Sequence, residues 1–252
     1  VSPHCWQGDI PRDCSWIPAS AHERKVDMDF NYISILITAL ANLMLATYVL
    51  FKNPRKIINI SFSLFTFSSA CWSLALFIIG IGKEHQMLMF AGHLAFFSGA
   101  MMAGNFLMFA YVFPQMKDGF PSKRLFFAIY APCLFMALLS LTPLIMRDIS
   151  YAGTVVRPVY GKGILLFAAY GLGYTAYSLV LLAKKYFHSP GRFERVQLRY
   201  TFWGLLVSAS GIILLALILP LLGVSRFSTP LTPWVTLVTV ICVSYAIVRH
   251  RL

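Results

Sequence analysis

The sequence predicts an all-α membrane protein, a seven-transmembrane helix bundle with its N-terminus outside and its C-terminus cytoplasmic. Three observations predict it. The chain is 58% hydrophobic and only 12% charged, with a mean hydropathy of +0.71, whereas a soluble domain carries roughly a quarter charged residues. Its apolar residues fall into seven runs, at 30–51, 57–81, 87–113, 125–146, 164–183, 200–222 and 231–248, and none of these contains Asp, Glu, Lys or Arg. Each run is long enough to cross a hydrocarbon layer about 30 Å thick, which takes roughly 20 residues of helix. Finally, the cations are unevenly shared between the two sets of links, and that asymmetry sets the orientation.

The first 29 residues form a polar leader punctuated by Pro3, Pro11 and Pro18, without helical or strand periodicity. They lack the basic-then-apolar order of a signal peptide. The segment reads either as an extracellular tail or as an upstream extension of the reading frame, since Met28 stands immediately before the first apolar run. Residues 30–252 are then the transmembrane domain. Cys5 and Cys14 lie together in the leader, where export would allow a disulfide. Cys71, Cys133 and Cys242 sit singly in apolar runs and read as small buried hydrophobes.

One set of links carries Lys52, Arg55 and Lys56, then Lys117, Lys123 and Arg124, then Lys184, Lys185, Arg192, Arg195 and Arg199, and finally Arg249 and Arg251. These 13 cations face only Asp118 and Glu194. The opposite set, leader included, has 8 cations and 7 carboxylates. Lys and Arg are retained on the cytoplasmic side, so the N-terminus is outside and residue 252 inside, as an odd number of crossings requires. The basic clusters are short and separated by apolar runs, which excludes the continuous basic surface of a nucleic-acid binder. The basic link at 184–199 suits anionic lipid headgroups.

Within the bundle, small residues recur at helical spacing: Gly92, Gly99 and Ala103 in the third run, Ala169, Gly173 and Ala176 in the fifth, Gly204, Ser208 and Gly211 in the sixth. Such faces let membrane helices approach closely. Pro114 ends the third helix, and Pro132, Pro143 and Pro220 kink or loosen theirs, with neighbours satisfying the freed carbonyls. No repeat of the whole unit is evident, which removes support for an inverted-repeat transporter.

The polar residues inside apolar runs are the candidate sites. His93 is the histidine of the third run, where an interhelical hydrogen bond is the default and a ligand, proton or metal role the alternative. Asn42 and Asn105 read first as packing glue and second as ligand contacts. Trp72, Tyr170, Tyr174 and Tyr177 can line a pocket, although core or interfacial packing accounts for aromatics this abundant. The link at 147–163, with Arg157 in it, reads as a solvated connector, or as a cover over the bundle mouth with Arg157 meeting an anionic group.

Absences exclude several functions. The seventh run has no lysine for a retinal Schiff base, and no run has the carboxylates of a proton pump or ion-coupled carrier. There is no HExxH, Walker loop, nucleophile elbow or Cys/His metal spacing. The segment is therefore expected to be non-enzymatic, with no cofactor and no metal. The seventh run passes directly into Arg249, His250 and Arg251, with no Gly, Asn or Pro to end the helix. A helix that leaves the membrane while still helical leads us to expect that something follows it.

Several stretches together resemble a known family. Lys52-Asn53-Pro54-Arg55-Lys56 opens a second helix carrying Asn59, Phe62 and Ala70-Cys71-Trp72; Val159-Tyr160-Gly161-Lys162-Gly163 precedes the fifth; Ser244-Tyr245-Ala246-Ile247-Val248-Arg249-His250-Arg251-Leu252 closes the seventh. This pattern is similar to the N-terminal seven-transmembrane sensor region of bacterial membrane histidine kinases. The resemblance implies a sensory input module of a two-component-type protein in the bacterial inner membrane. A small-molecule or membrane-borne signal shifts the bundle, and the seventh helix passes the shift to a cytoplasmic output domain of the same polypeptide, with a homodimer as the working unit. Arg249, His250 and Arg251 mark the exit, and His250 is not a phosphoacceptor. The readings from other classes are a small membrane carrier or channel and a structural membrane subunit.

Overall fold

Lipid cannot hydrogen-bond a bare backbone, so each apolar run must satisfy its amides internally, and helices follow. In the computed structural model, which describes residues 30–114, 122–152, 155–188, 192–213 and, in the seventh run, Trp234, Val235, Leu237 and Ile241, they do so. The helices are α1 (Phe30–Lys52), α2 (Ile57–Ile81), α3 (His85–Val112), α4 (Lys123–Leu139), α5 (Ile164–His188) and α6 (Arg192–Ile213). The four described residues of the seventh run are also helical. Among the described residues, four helices are long and apolar enough to cross a membrane: α1 from Tyr32, then α2, α3 and α5. The leader, Pro220 and the exit cluster Arg249, His250 and Arg251 lie outside the described residues.

Helix limits follow local chemistry. α2 spans the predicted run, starting after Pro54 and ending where Gly82 takes extended backbone. α3 stops at Phe113, immediately before Pro114, as expected of a residue that disfavours helix in its predecessor. α4 begins with the Ser122 hydroxyl accepting from the Leu125 amide at 3.3 Å, an N-cap that satisfies an otherwise orphan donor. It runs through Pro132 without interruption.

The fourth run, predicted at 125–146, is corrected at its far end. α4 is only 17 residues long, and two tight turns follow it, Leu141 donating to Leu138 and Thr142 to Leu139, both at 3.1 Å. Pro143 therefore lies beyond the helix, among these turns, rather than kinking it. The link at 147–163 departs from the all-α expectation. It forms an antiparallel hairpin of β1 (Met146–Ala152) and β2 (Val155–Tyr160), with Ile149 opposite Pro158 and Ser150 opposite Arg157. Val, Ile and Tyr dominate these strands, and such residues suit a pleated, half-buried surface. Two more expectations shift: α5 continues past Ala183 to His188, and α6 starts inside the basic link, at Arg192.

The main core lies toward the basic end, where α1 finishes and α2 and α4 begin. Val49, Phe62, Phe109, Val112, Phe113, Leu182 and Leu198 are buried there. Phe62 and Phe109 pack with ring centroids 5.7 Å apart, and Phe65 and Phe106 with 5.6 Å. At the opposite end a smaller cluster of Leu88, Met146 and Ile149 seats β1 on the start of α3. Gly92 makes room for it, since a Cβ there would stand 2.6 Å from the Met146 sulfur.

Candidate functional site

Membrane helices gain little from apolar contact with one another, because lipid tails are equally apolar. Polar side chains between helices therefore decide registration. The polar residues of this bundle form a chain of interhelical bonds through the middle of the described structure. Asn42 on α1, fully buried, donates to the Ser69 hydroxyl on α2 at 3.3 Å. One residue away, Ser68 accepts from Asn105 Nδ2 on α3 at 2.9 Å, and the same Nδ2 reaches the Leu64 carbonyl at 3.3 Å. The Tyr130 hydroxyl on α4 donates to Asn105 Oδ1 at 2.9 Å. Asn105, 2% exposed, thus joins three helices with both ends of its amide.

A second set of bonds attaches α5. The Tyr170 hydroxyl donates to the Ala100 carbonyl of α3 at 2.9 Å, and Tyr174 to the Ile129 carbonyl of α4 at 3.0 Å. Ile129 lies in the turn before Pro132, next to Ala128, whose carbonyl is the one that the proline leaves without an amide donor. The two tyrosine rings lie 4.4 Å apart. Gly104 permits this seam: a Cβ there would come 2.9 Å from Cys133 Cβ and closer still to its sulfur.

The third attachment is one that the sequence hid. Lys185, grouped with the basic link, folds back so that its ammonium donates to the last carbonyls of α3: Ala110 at 3.0 Å, Phe113 at 2.6 Å, and Tyr111. It also stands 5.8 Å from the centroid of the Tyr111 ring. A helix leaves its last carbonyls unpaired and carries partial negative charge there, which a lysine answers. A signal was available in the adjacent pair Lys184 and Lys185: neighbours on a helix point about 100° apart, so one can face outward while the other turns toward the bundle.

The predicted residues are therefore only partly brought together. Asn42, Asn105, Tyr170 and Tyr174 belong to these connected ties. Trp72 is partly buried one turn beyond Ser69, and Tyr177 is exposed. His93 stands apart, its Nδ1 2.9 Å from the Ser140 carbonyl at the end of α4, an interhelical hydrogen bond. Arg157 sits in β2 with its backbone opposite Ser150. The hairpin that carries it is no mere connector, since Met146 and Ile149 are buried and His85 Nε2 lies 3.3 Å from Asp148 Oδ1. Sequence reading missed Tyr130, Ser68, Ser69, Gly104 and Lys185. Of the small faces, Gly211 packs against Val235 of the seventh run, 2.6 Å from a Cβ position, but Gly173 meets nothing within 4 Å.

The arrangement fixes the helices in register. Among the described residues there is no group of three or more His, Cys, Asp or Glu side chains able to hold a metal. A family model described as the N-terminal 7TM region of histidine kinase matches residues 34–252. No curated protein matches the chain.

Proposed function

As the chain belongs to the family of N-terminal 7TM regions of histidine kinases, we propose that it is the sensory input module of such a kinase. In this reading a stimulus outside or within the membrane shifts the bundle, and the seventh helix carries the shift to a cytoplasmic output domain of the same polypeptide. The family match over residues 34–252 carries the reading. The manner in which α5 is attached supports it. Hydrogen bonds from Tyr170, Tyr174 and Lys185 tie it to α3 and α4, and much of its other face is exposed, so a movement of α5 would change these bonds. A stimulus can work such a device only by favouring one arrangement of helices over another.

The seventh helix packs on α6, where the Ser208 hydroxyl donates to the Val235 carbonyl at 2.6 Å. α6 follows α5 in the chain, and a path from α5 through α6 to the seventh helix is the proposed route. The orientation proposed is N-terminus outside, in a bacterial inner membrane, with the functional unit a homodimer. The test is autophosphorylation of the full-length gene product in nanodiscs. The reading expects kinase activity that changes in Lys185→Met and Asn105→Leu variants. A gene product without kinase activity, or solute flux through liposomes holding this chain alone, would overturn it.

A further inference from the structure

A groove of about 300 Å³ opens sideways between α2 and α4 at the basic end, with α3 as its floor. We propose that it takes one acyl chain of an anionic phospholipid from the adjoining leaflet, with the lipid phosphate at Lys123. The inference goes beyond the sensory reading and does not rest on it, needing only that the chain spans a membrane.

Depth argues for an acyl chain. Both flanking helices begin at this end, and the innermost lining residues, Leu64 on α2 and Tyr130 on α4, each lie seven residues in. At 1.5 Å per residue that is about 10 Å of depth from the helix starts. Met108, four residues before the end of α3 and so about 6 Å in, forms the floor. The walls are almost wholly apolar, with Phe126 stacked 4.5 Å from Tyr130. The Tyr130 hydroxyl is turned away, bonded to Asn105. The groove opens to the lipid side, where Leu64, Phe126 and Phe127 are exposed.

Charge at the mouth argues for an anionic headgroup. Lys123 lines the opening, and the described helix ends around it carry Lys52, Arg55, Lys56 and Arg124 with no carboxylate among them. α2 also starts at this end without a side-chain cap, and uncapped helix starts favour anions. An ordinary lipid-facing crevice would accept any acyl chain; this one places a cation at headgroup level above an apolar slot. The occupant would lie against Tyr130, one bond from the residue that joins α2, α3 and α4.

The test is photolabelling of the whole chain in nanodiscs with two lipids that carry the same mid-chain diazirine, phosphatidylglycerol and phosphatidylcholine. The expected result is labelling of the segment from Phe126 to Tyr130 by phosphatidylglycerol about fivefold above phosphatidylcholine, since one lysine near a surface is worth about that ratio. Lys123→Gln should lower the ratio severalfold toward one. Leu64→Trp, on the exposed wall, should block labelling by both lipids without touching the core. Equal labelling by the two lipids, a ratio unmoved by Lys123→Gln, or displacement by a free fatty acid in preference to phosphatidylglycerol would overturn the proposal. The sensory reading fails on other readouts, absent autophosphorylation or solute flux, and neither affects this labelling.

Discussion

α3 and α5 are alike in length and hydropathy, at 28 and 25 residues with span hydropathies of 1.4 and 1.6, yet they are held in opposite ways. α3 is enclosed: 61% of its apolar window is buried, against 6% for α5. Its contacts are aromatic and small-residue packing with α2, α4 and α5, sustained over most of its length. α5 packs on it from one side, with Phe167 5.3 Å from Phe96 and Leu182 in the main core, and adds three polar attachments; among its residues only Ser178 and Leu182 are buried in the described structure. Packing spread over many side chains resists displacement because every atom pair contributes a little. The difference marks α3 as the enclosed frame of the bundle and α5 as a helix packed on one side and exposed on the other.

Substitutions can break or sharpen that contrast. The largest loss should come from Gly104→Val, which drives a branched side chain into Cys133. Overpacking of this kind costs about 3 kcal/mol at the upper end, and thermal unfolding in detergent should show a clear drop in midpoint. Lys185→Met should come next, at about 2 kcal/mol for the loss of charge-assisted bonds to α3. Its distinguishing readout is the distance between spin labels on α3 and α5, which should broaden while the spacing of α2 and α3 stays fixed. Asn105→Leu removes the tie from α3 to α2 and α4. Double-mutant measurements on membrane hydrogen bonds average about 0.6 kcal/mol each, so the bonds to Ser68 and Tyr130 together suggest roughly 1 kcal/mol, read in the same unfolding assay. Smallest of all, Gly173→Ala on α5 should be neutral within about 0.5 kcal/mol, since nothing lies within 4 Å of its Cβ position. A loss there as large as that at Gly104 would show that α5 is packed as tightly as α3.

Much of the fold was legible in the residues. The limits of α2 were readable at both ends, from Pro54 before it and Gly82 after it, and Pro114 marked the end of α3. Where a rule had two outcomes, the sequence left the choice open. Proline disfavours helix locally, yet Pro132 is accommodated inside α4 with Tyr174 meeting a nearby carbonyl, whereas Pro143 lies beyond the helix among tight turns. The hairpin was obscured for another reason: with Arg147, Asp148, Arg157 and Lys162 in it, the link read as a solvated connector, and its pairing shows only where the two strands meet.

The candidate site was legible in its residue types and not in its partnerships. Asn42, Asn105, Tyr170 and Tyr174 stand out because polar groups in lipid need partners, but Ser68, Ser69 and Tyr130, which supply some of them, look like ordinary packing residues in the sequence. Lys185 was misread because it stands next to Lys184 in a basic cluster, and only the rotation of α5 separates the two. Composition, run length and family pattern thus determined by themselves that this is a multi-pass helical membrane protein of the histidine-kinase sensor family, since transfer free energy depends on local sequence alone. The pairing of carbonyls with side chains, the enclosure of α3 and the one-sided packing of α5 were decided by tertiary structure, because hydrogen bonds between residues as far apart as Lys185 and Ala110 exist only once helix rotation and depth are set.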